Sequence, residues 1–162
     1  MTTPEKTGLG GGVNQRSQIK MSDAEIDEFL NGRHSMSCAT IGPDGRIHLV
    51  AMWYGFLDGM PAIETKAKSQ KIANLRRDPR MTVLVEDGET YEELRGVELV
   101  GTVEIIEDPD RLFEIGKSVF SRYNAPYTEE MRPFVDIMLR KRVGVKLNVD
   151  KVVSWDHRKL KS

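Results

Sequence analysis

The residues whose types and spacing could do chemistry lie in one short stretch, residues 65–71, which reads Thr-Lys-Ala-Lys-Ser-Gln-Lys. The stretch follows a predicted strand over 60–65 and precedes a predicted helix over 69–77. Ser69 is a favourable N-cap, so the free amides of the first helical turn point back toward the loop that carries the lysines. Amides at a helix N-terminus, the positive end of the helix dipole and several ammonium groups together bind phosphate. The sequence predicts a phosphate site here, the alternative being a solvent-exposed basic turn.

Composition limits the class of protein. The chain has 162 residues, enough for one domain with a core and too few for two. It is 30% charged with a net charge of −1, which excludes a strong positive field for nucleic acid. Its one cysteine, Cys38, excludes a disulfide framework and fits a reducing cytoplasm. No apolar run is long enough to span a bilayer, so we expect a cytoplasmic protein with neither nucleic-acid nor membrane partners.

The elements that position this stretch are mostly strands. Residues 1–12 are glycine-rich and predict a flexible tail before a single domain over 13–162. A capping box at Ser22 and Glu25 starts a helix, and Asp108 with Pro109 starts another. A further helix is expected over 128–140, with Met131, Val135, Ile137 and Met138 facing inward. Strands are predicted over 36–41, 46–54, 60–65, 81–86, 97–106, 143–147 and 152–155.

The order of these elements favours an antiparallel sheet. The motif Gly-Pro-Asp-Gly over 42–45 and the pair Asp58-Gly59 are hairpin turns, and no helix separates the first three strands, as a parallel sheet would require. Gly101 interrupts its strand and predicts a bulge or a barrel corner. The predicted fold class is therefore α+β, a predominantly antiparallel barrel with peripheral helices.

The same segments resemble a known family, the pyridoxamine-phosphate-oxidase-like flavoproteins. The resemblance is carried by Ala-Thr-Ile at 39–41, Asp-Gly at 44–45 and the run from Thr65 to Arg80. Gly-Thr-Val at 101–103 and the closing Ser-Trp-Asp-His-Arg-Lys-Leu at 154–160 are similar to one branch of it, the actinobacterial deazaflavin (coenzyme F420)-dependent reductases. The resemblance implies a split β-barrel homodimer that binds two cofactors in clefts at the subunit interface.

Carried over by position, the resemblance also implies a set of binding residues. Those expected around the cofactor phosphate are Thr65, Lys66, Lys68, Ser69 and Lys71, with Asn74 and Arg80 close by. The strand residues Val50, Ala51, Met52 and Trp53 should run along the cofactor ring. The oxidase closes its pocket with a C-terminal arginine-leucine-x-proline motif, whereas this chain ends Arg-Lys-Leu-Lys-Ser. Pyridoxamine-phosphate oxidation is therefore not the expected reaction.

The leading functional hypothesis is an oxidoreductase that transfers a hydride from a reduced deazaflavin to an unsaturated or quinone-like small molecule. Such chemistry needs position and exclusion of water from the protein, so a missing catalytic triad is expected. One alternative is an oxidase or flavin reductase that uses flavin mononucleotide (FMN). Another is a non-enzymatic protein that binds a cofactor or heme.

The three histidines, His34, His48 and His157, lack metal-ligand spacing, so no metal site is predicted. His48 is expected on the solvent-facing side of an alternating strand, the alternative being a donor to the cofactor.

Overall fold

The computed structural model describes residues 14–160, so the predicted tail over 1–12 lies outside the described residues. Seven strands form one antiparallel sheet in the order β2-β1-β5-β6-β7-β4-β3. The strands are β1 Ser35–Ile41, β2 Ile47–Trp53, β3 Gly55–Leu57, β4 Met60–Lys66, β5 Arg80–Asp87, β6 Arg95–Ile106 and β7 Arg142–Asp156. The helices are α1 Gln15–Gln18, α2 Asp23–Gly32, α3 Gln70–Arg77, α4 Pro109–Tyr123 and α5 Arg132–Met138, with short 3-10 turns at Tyr91–Glu93, Glu129–Met131 and His157–Lys159.

The sheet curls into a half-barrel with helices on both faces. On its inner face, α2 and α3 contribute Phe29, Leu30, Ile72 and Leu75 to the main core. On the opposite, outer face, α4 packs over β3 and β4 through a smaller apolar cluster. The α4 helix covers only that side of the outer face, which leaves Ile47 and Leu49 on the outer side of β2 exposed among residues 14–160. The antiparallel α+β split-barrel prediction is confirmed.

Local chain chemistry explains where the helices begin. The Ser22 hydroxyl accepts from the Glu25 amide at 3.2 Å, and the Glu25 carboxylate accepts in return from the Ser22 amide, which completes the capping box. The Asp108 carboxylate accepts from the Arg111 amide at 3.0 Å at the start of α4. The predicted irregularity at Gly101 is also confirmed, because the β6–β7 register shifts between Val100 and Gly101.

The structure corrects two sequence expectations and adds one strand. The closing strands predicted over 143–147 and 152–155 are one continuous strand, β7, because both halves pair with the long β6. The short strand β3 was missed, since three residues carry too little pattern. Ile137 is 56% exposed, while Val135 is fully buried. Residues two apart on a helix point in nearly opposite directions, so the two could not share an inward face.

Candidate functional site

The residues predicted to bind an anion lie where β4 ends and α3 begins. Ser69 is the N-cap of α3, and its hydroxyl accepts from the Ile72 amide at 3.4 Å. The Ser69 amide in turn donates to the Lys66 carbonyl at 3.0 Å, which closes the loop into a tight turn. Thr65 is buried at the end of β4, whereas Lys66 and Lys68 are exposed. The loop therefore presents a helix N-terminus with two exposed ammonium groups beside it.

Lys71 differs from the other lysines of the loop because it is buried. Only 8% of the residue is exposed, and its ammonium group forms no hydrogen bond or ion pair within the described part of the chain. Burial lowers the pKa of Lys71, and the positive charge of Arg142 lowers it further. Cys38 raises the pKa of Lys71, but this effect is smaller than that of burial. Burial likewise raises the pKa of the Cys38 thiol to about 12, so the neighbouring thiol supplies no negative charge. A largely buried lysine side chain whose ammonium group has no partner within the described residues can receive an external anion.

Arg142, which the sequence did not single out, joins this group from the other end of the chain. It begins β7 and is the register partner of Lys66. Its guanidinium pairs with the carboxylate of Glu64 at 3.0 Å, and burial raises the pKa of Glu64 although the arginine opposes that shift. The Ala67 amide also donates to the Lys141 carbonyl at 2.9 Å. No local sequence signal could reveal this neighbour, because 76 residues separate Lys66 from Arg142 in the numbering.

The structure places Asn74 behind the loop with no exposed surface. Its side-chain amide donates to the Thr40 hydroxyl at 3.0 Å and accepts from the Gln70 amide at 2.8 Å. The hydrogen bond to Thr40 ties α3 to β1, so Asn74 positions the helix against that strand. Arg80, the other nearby residue, is held by the carboxylate of Asp78 at 2.7 Å.

The predicted ring-binding strand has two different faces. Val50 and Met52 are half-buried and pack against the main core, whereas Ala51 and Trp53 point outward. Trp53 is 60% exposed and stacks on Tyr123 with ring centroids 4.2 Å apart and an interplanar angle of 10°. A planar ligand on the outer face would contact the side chains of Ala51 and Trp53 and the backbone of the other two residues.

One residue links the strand to the anion site. Cys38 is the register partner of Val50 and lies near enough to Lys71 to affect the pKa of its ammonium group. The strand β1 therefore lies between the predicted ring strand and the start of α3. The outer face beyond them carries a groove of about 380 Å³ that crosses β1, β5 and β6, with Ala39, Ile41 and Val100 in its lining.

The histidines do not form a cluster. His48 points into the half-barrel, with a buried Nδ1 that has no hydrogen-bond partner, so its expected solvent-facing position was wrong. His157 Nδ1 lies 2.7 Å from the Tyr91 carbonyl oxygen.

No group of three or more histidine, cysteine, aspartate or glutamate side chains within residues 14–160 is arranged to hold a metal ion. In the same residues, no helix is both long and apolar enough to cross a membrane.

Comparison with known proteins gives one family match. Residues 22–156 match the family described as pyridoxamine 5'-phosphate oxidase. No curated protein sequence matches the chain. A crystal structure of a conserved hypothetical protein from Mycobacterium tuberculosis is 53% identical, with a TM-score of 0.88, and the match covers 93% of this chain and 95% of that chain.

Two further solved structures resemble this chain. A protein titled F420 reductase is 26% identical, with a TM-score of 0.57 and coverage of 78% of this chain and 94% of that chain. A heme binding protein from Mycobacterium smegmatis is 17% identical, with a TM-score of 0.61 and coverage of 87% and 60%. The second likeness concerns the fold alone.

Proposed function

We propose, since this chain belongs to the pyridoxamine 5'-phosphate oxidase family, that it is an oxidoreductase that binds the deazaflavin coenzyme F420. The reaction we propose is hydride transfer to an unsaturated or quinone-like organic molecule. The bound deazaflavin would supply the carbon that carries the hydride, so the protein needs no nucleophile of its own.

The observation that carries the proposal is the largely buried Lys71 side chain at the start of α3, whose ammonium group has no hydrogen-bond or ion-pair partner among residues 14–160. An isolated buried charge is costly unless an opposite charge or hydrogen bonds compensate it. The helix N-terminus capped by Ser69 adds free backbone amides at the same place. A phosphate would compensate Lys71 and occupy those amides together, which is why we assign Thr65, Lys66, Lys68, Ser69 and Lys71 to it.

The other residues of the site position the cofactor. Asn74 fixes the start of α3 against β1 through its hydrogen bond to Thr40. The backbone of β2 from Val50 to Trp53 would run along the ring and exclude water from one of its faces. The resemblance to dimeric relatives implies that a second copy of the chain, packed on the outer face, encloses the other side of the cleft.

The choice of deazaflavin over FMN is supported by likeness and by charge. The solved F420 reductase is 26% identical over most of both chains. Coenzyme F420 carries an anionic polyglutamyl tail beyond its phosphate, whereas FMN ends at the phosphate. Exposed lysines such as Lys66 and Lys68 offer the tail a favourable path. The FMN-dependent alternative keeps the same phosphate residues and predicts a protein that is yellow when purified.

Fluorescence titration tests the proposal directly. We expect coenzyme F420 to bind at least tenfold more tightly than FMN, about 1.4 kcal/mol, with a preference that shrinks as salt screens the tail. Lys71→Ala should weaken binding by about 1 to 3 kcal/mol, the scale of a charge-assisted hydrogen bond.

Lys151→Ala serves as the control, because Lys151 is exposed on the far half of β7. The phosphate assignment is wrong if affinity survives the combined Lys66→Ala and Lys71→Ala substitutions. Equal affinities for both cofactors, or tighter FMN binding at low salt, would favour the FMN-dependent alternative. A parallel titration with hemin tests the heme-binding alternative.

A further inference from the structure

Unpaired positive charge is concentrated on two adjacent loops. One is the β4–α3 loop already described, and the other is the α5–β7 loop, residues 139–141. Within residues 14–160, four exposed cations on these loops have no carboxylate within the 4.0 Å ion-pair distance: Lys66, Lys68, Arg140 and Lys141. By contrast, Arg111 on α4 contacts two carboxylates, those of Asp58 and Glu104, and Arg158 pairs with Asp156. The two loops therefore hold cations that are free to receive an external anion.

The two loops are fixed to each other. The Ala67 amide donates to the Lys141 carbonyl at 2.9 Å, and Lys66 faces Arg142 in the β4–β7 ladder. Lys141 adopts a positive φ of 58°, a conformation that few residues other than glycine take. This conformation turns the chain sharply between α5 and β7, directly beside the anion site. The cations of the α5–β7 loop are thus part of the same surface as the predicted phosphate residues.

The end of α3, the other basic segment near the site, has its arginines engaged. Arg76 pairs with the Glu107 carboxylate at 2.7 Å, and Arg77 donates to the Ile41 carbonyl. An anion that followed α3 would have to compete with these partners. The cations of the α5–β7 loop have no such partners. The loop is followed directly by Arg142, whose positive charge lowers the pKa of Lys71.

We propose that Arg140 and Lys141 form a second anion subsite that continues the phosphate site across the α5–β7 loop. The ligand of this surface then carries further negative charge beyond its first phosphate, either as a polycarboxylate chain or as a second phosphate. This inference rests on the proposed function only in taking Lys71 as the site of the first phosphate.

The test compares ligands that differ in the groups attached beyond the first phosphate. FMN has no anionic extension, flavin adenine dinucleotide (FAD) has a second phosphate, and coenzyme F420 has a polyglutamyl tail. In the full-length chain with Arg140→Gln and Lys141→Gln, we expect the Kd of the extended ligand to rise at least tenfold. The Kd of FMN should stay within twofold. Which extended ligand loses affinity distinguishes a tail from a second phosphate.

The matched control removes two exposed, unpaired cations elsewhere, with Lys20→Gln and Lys151→Gln, and should leave every Kd unchanged. Equal losses for FMN and for the extended ligands, or no loss for any of them, would overturn the subsite.

If no flavin or deazaflavin binds the wild-type protein, the proposed function fails and a melting experiment decides the subsite. Tripolyphosphate should then raise Tm more than equimolar inorganic phosphate, and the double variant should lose the difference. Equal shifts for both anions would overturn the inference.

Discussion

At the scale of single residues, Lys71 is the position where stability and binding conflict. The sequence alone predicts an exposed lysine whose removal would leave folding unchanged, but the structure buries it without a partner among residues 14–160. Burial lowers its pKa from the ordinary value of 10.5, so the charged form is disfavoured in the folded protein. Functional sites are common places for such a local cost in stability.

The first prediction concerns that cost. Lys71→Met keeps an unbranched side chain and removes the desolvated charge, so the ligand-free variant should unfold at a higher temperature, by about 0.5 to 2 kcal/mol in stability. Because the pKa of Lys71 is lowered on folding, the unfolded chain binds more protons between that lowered value and 10.5. The stability of the wild type should therefore rise with pH across this window, and the advantage of the variant should shrink.

Thermal melts at neutral and alkaline pH measure both effects. Lys68→Met is the matched control, since Lys68 is exposed in the same loop and its replacement should leave Tm unchanged. A lower Tm for Lys71→Met than for the wild type at neutral pH would show that the ammonium group is satisfied in the folded protein.

At the scale of elements, one side chain joins three of them. The Arg122 guanidinium, on α4, donates to the Tyr54 carbonyl at 2.9 Å, to the Leu30 and Asn31 carbonyls at 3.3 Å, and to the Arg33 carbonyl. Leu30 and Asn31 lie in the last turn of α2, whose carbonyls have no partner within the helix. Arg122 therefore caps α2 while it fixes α4 to the link between β2 and β3.

The second prediction concerns this cap. Arg122→Ala should lower the free energy of unfolding by about 2 to 3 kcal/mol, because several carbonyls lose a charged donor at once. A domain of this size then melts roughly 4 to 12 °C lower. Arg122→Lys should recover only part of the loss, since an ammonium group lacks the planar fork that reaches several carbonyls. Denaturant unfolding followed by circular dichroism gives the values.

Arg111→Ala provides the comparison, because Arg111 is a partly exposed arginine on the same helix that forms ion pairs with Glu104 and Asp58. Exposed ion pairs contribute about 0 to 1 kcal/mol. If Arg122→Ala lowers the free energy of unfolding no more than Arg111→Ala does, the cap contributes little to the stability of the protein.

At the scale of the whole molecule, the open outer face of β2 is the feature that a second copy would cover. Ile47, Leu49 and Trp53 are 64%, 67% and 60% exposed, and they alternate along an edge strand. A row of exposed apolar side chains on a sheet edge is a typical association surface. The sequence pattern also suggests an exposed edge at 152–155, where β7 pairs with β6 on one side only, because β4 pairs with β7 only over residues 142–146. The whole of β2, by contrast, is an edge strand with no strand beyond it in the sheet.

The third prediction is that the homodimer forms through this face. Leu49→Lys should give a monomer in sedimentation at micromolar concentration, where the wild type should show twice the monomer mass. Its circular dichroism should remain native, because an exposed leucine adds little to the core of one chain. Phe134→Lys, at a similarly exposed position on α5, should stay dimeric. A monomeric wild type, or a dimeric Leu49→Lys variant, would remove this face as the dimer interface.

The sequence by itself determined the features that depend on neighbours in the chain. The N-caps at Ser22, Ser69 and Asp108, the hairpin turn over 42–45 and the bulge at Gly101 were all predicted correctly. Each involves hydrogen bonds or backbone conformations that span only a few residues, so residue type and spacing suffice to predict them. The antiparallel fold class is indicated by the same signals.

The tertiary structure alone decided the features that depend on strand pairing across the chain. The strand order placed Arg142 and Lys141 beside Lys66 and joined two predicted strands into β7. The fold also brought Lys71 near enough to Cys38 to affect the pKa of the thiol. No local pattern encodes which strands become neighbours, because pairing is selected by the burial of the whole sheet. The position of the basic loop could therefore be read from the sequence. The surroundings of Lys71 and the second basic loop beside Lys66 arise only when residues distant in the chain come together, 33 positions apart for Cys38 and Lys71 and 76 positions apart for Lys66 and Arg142.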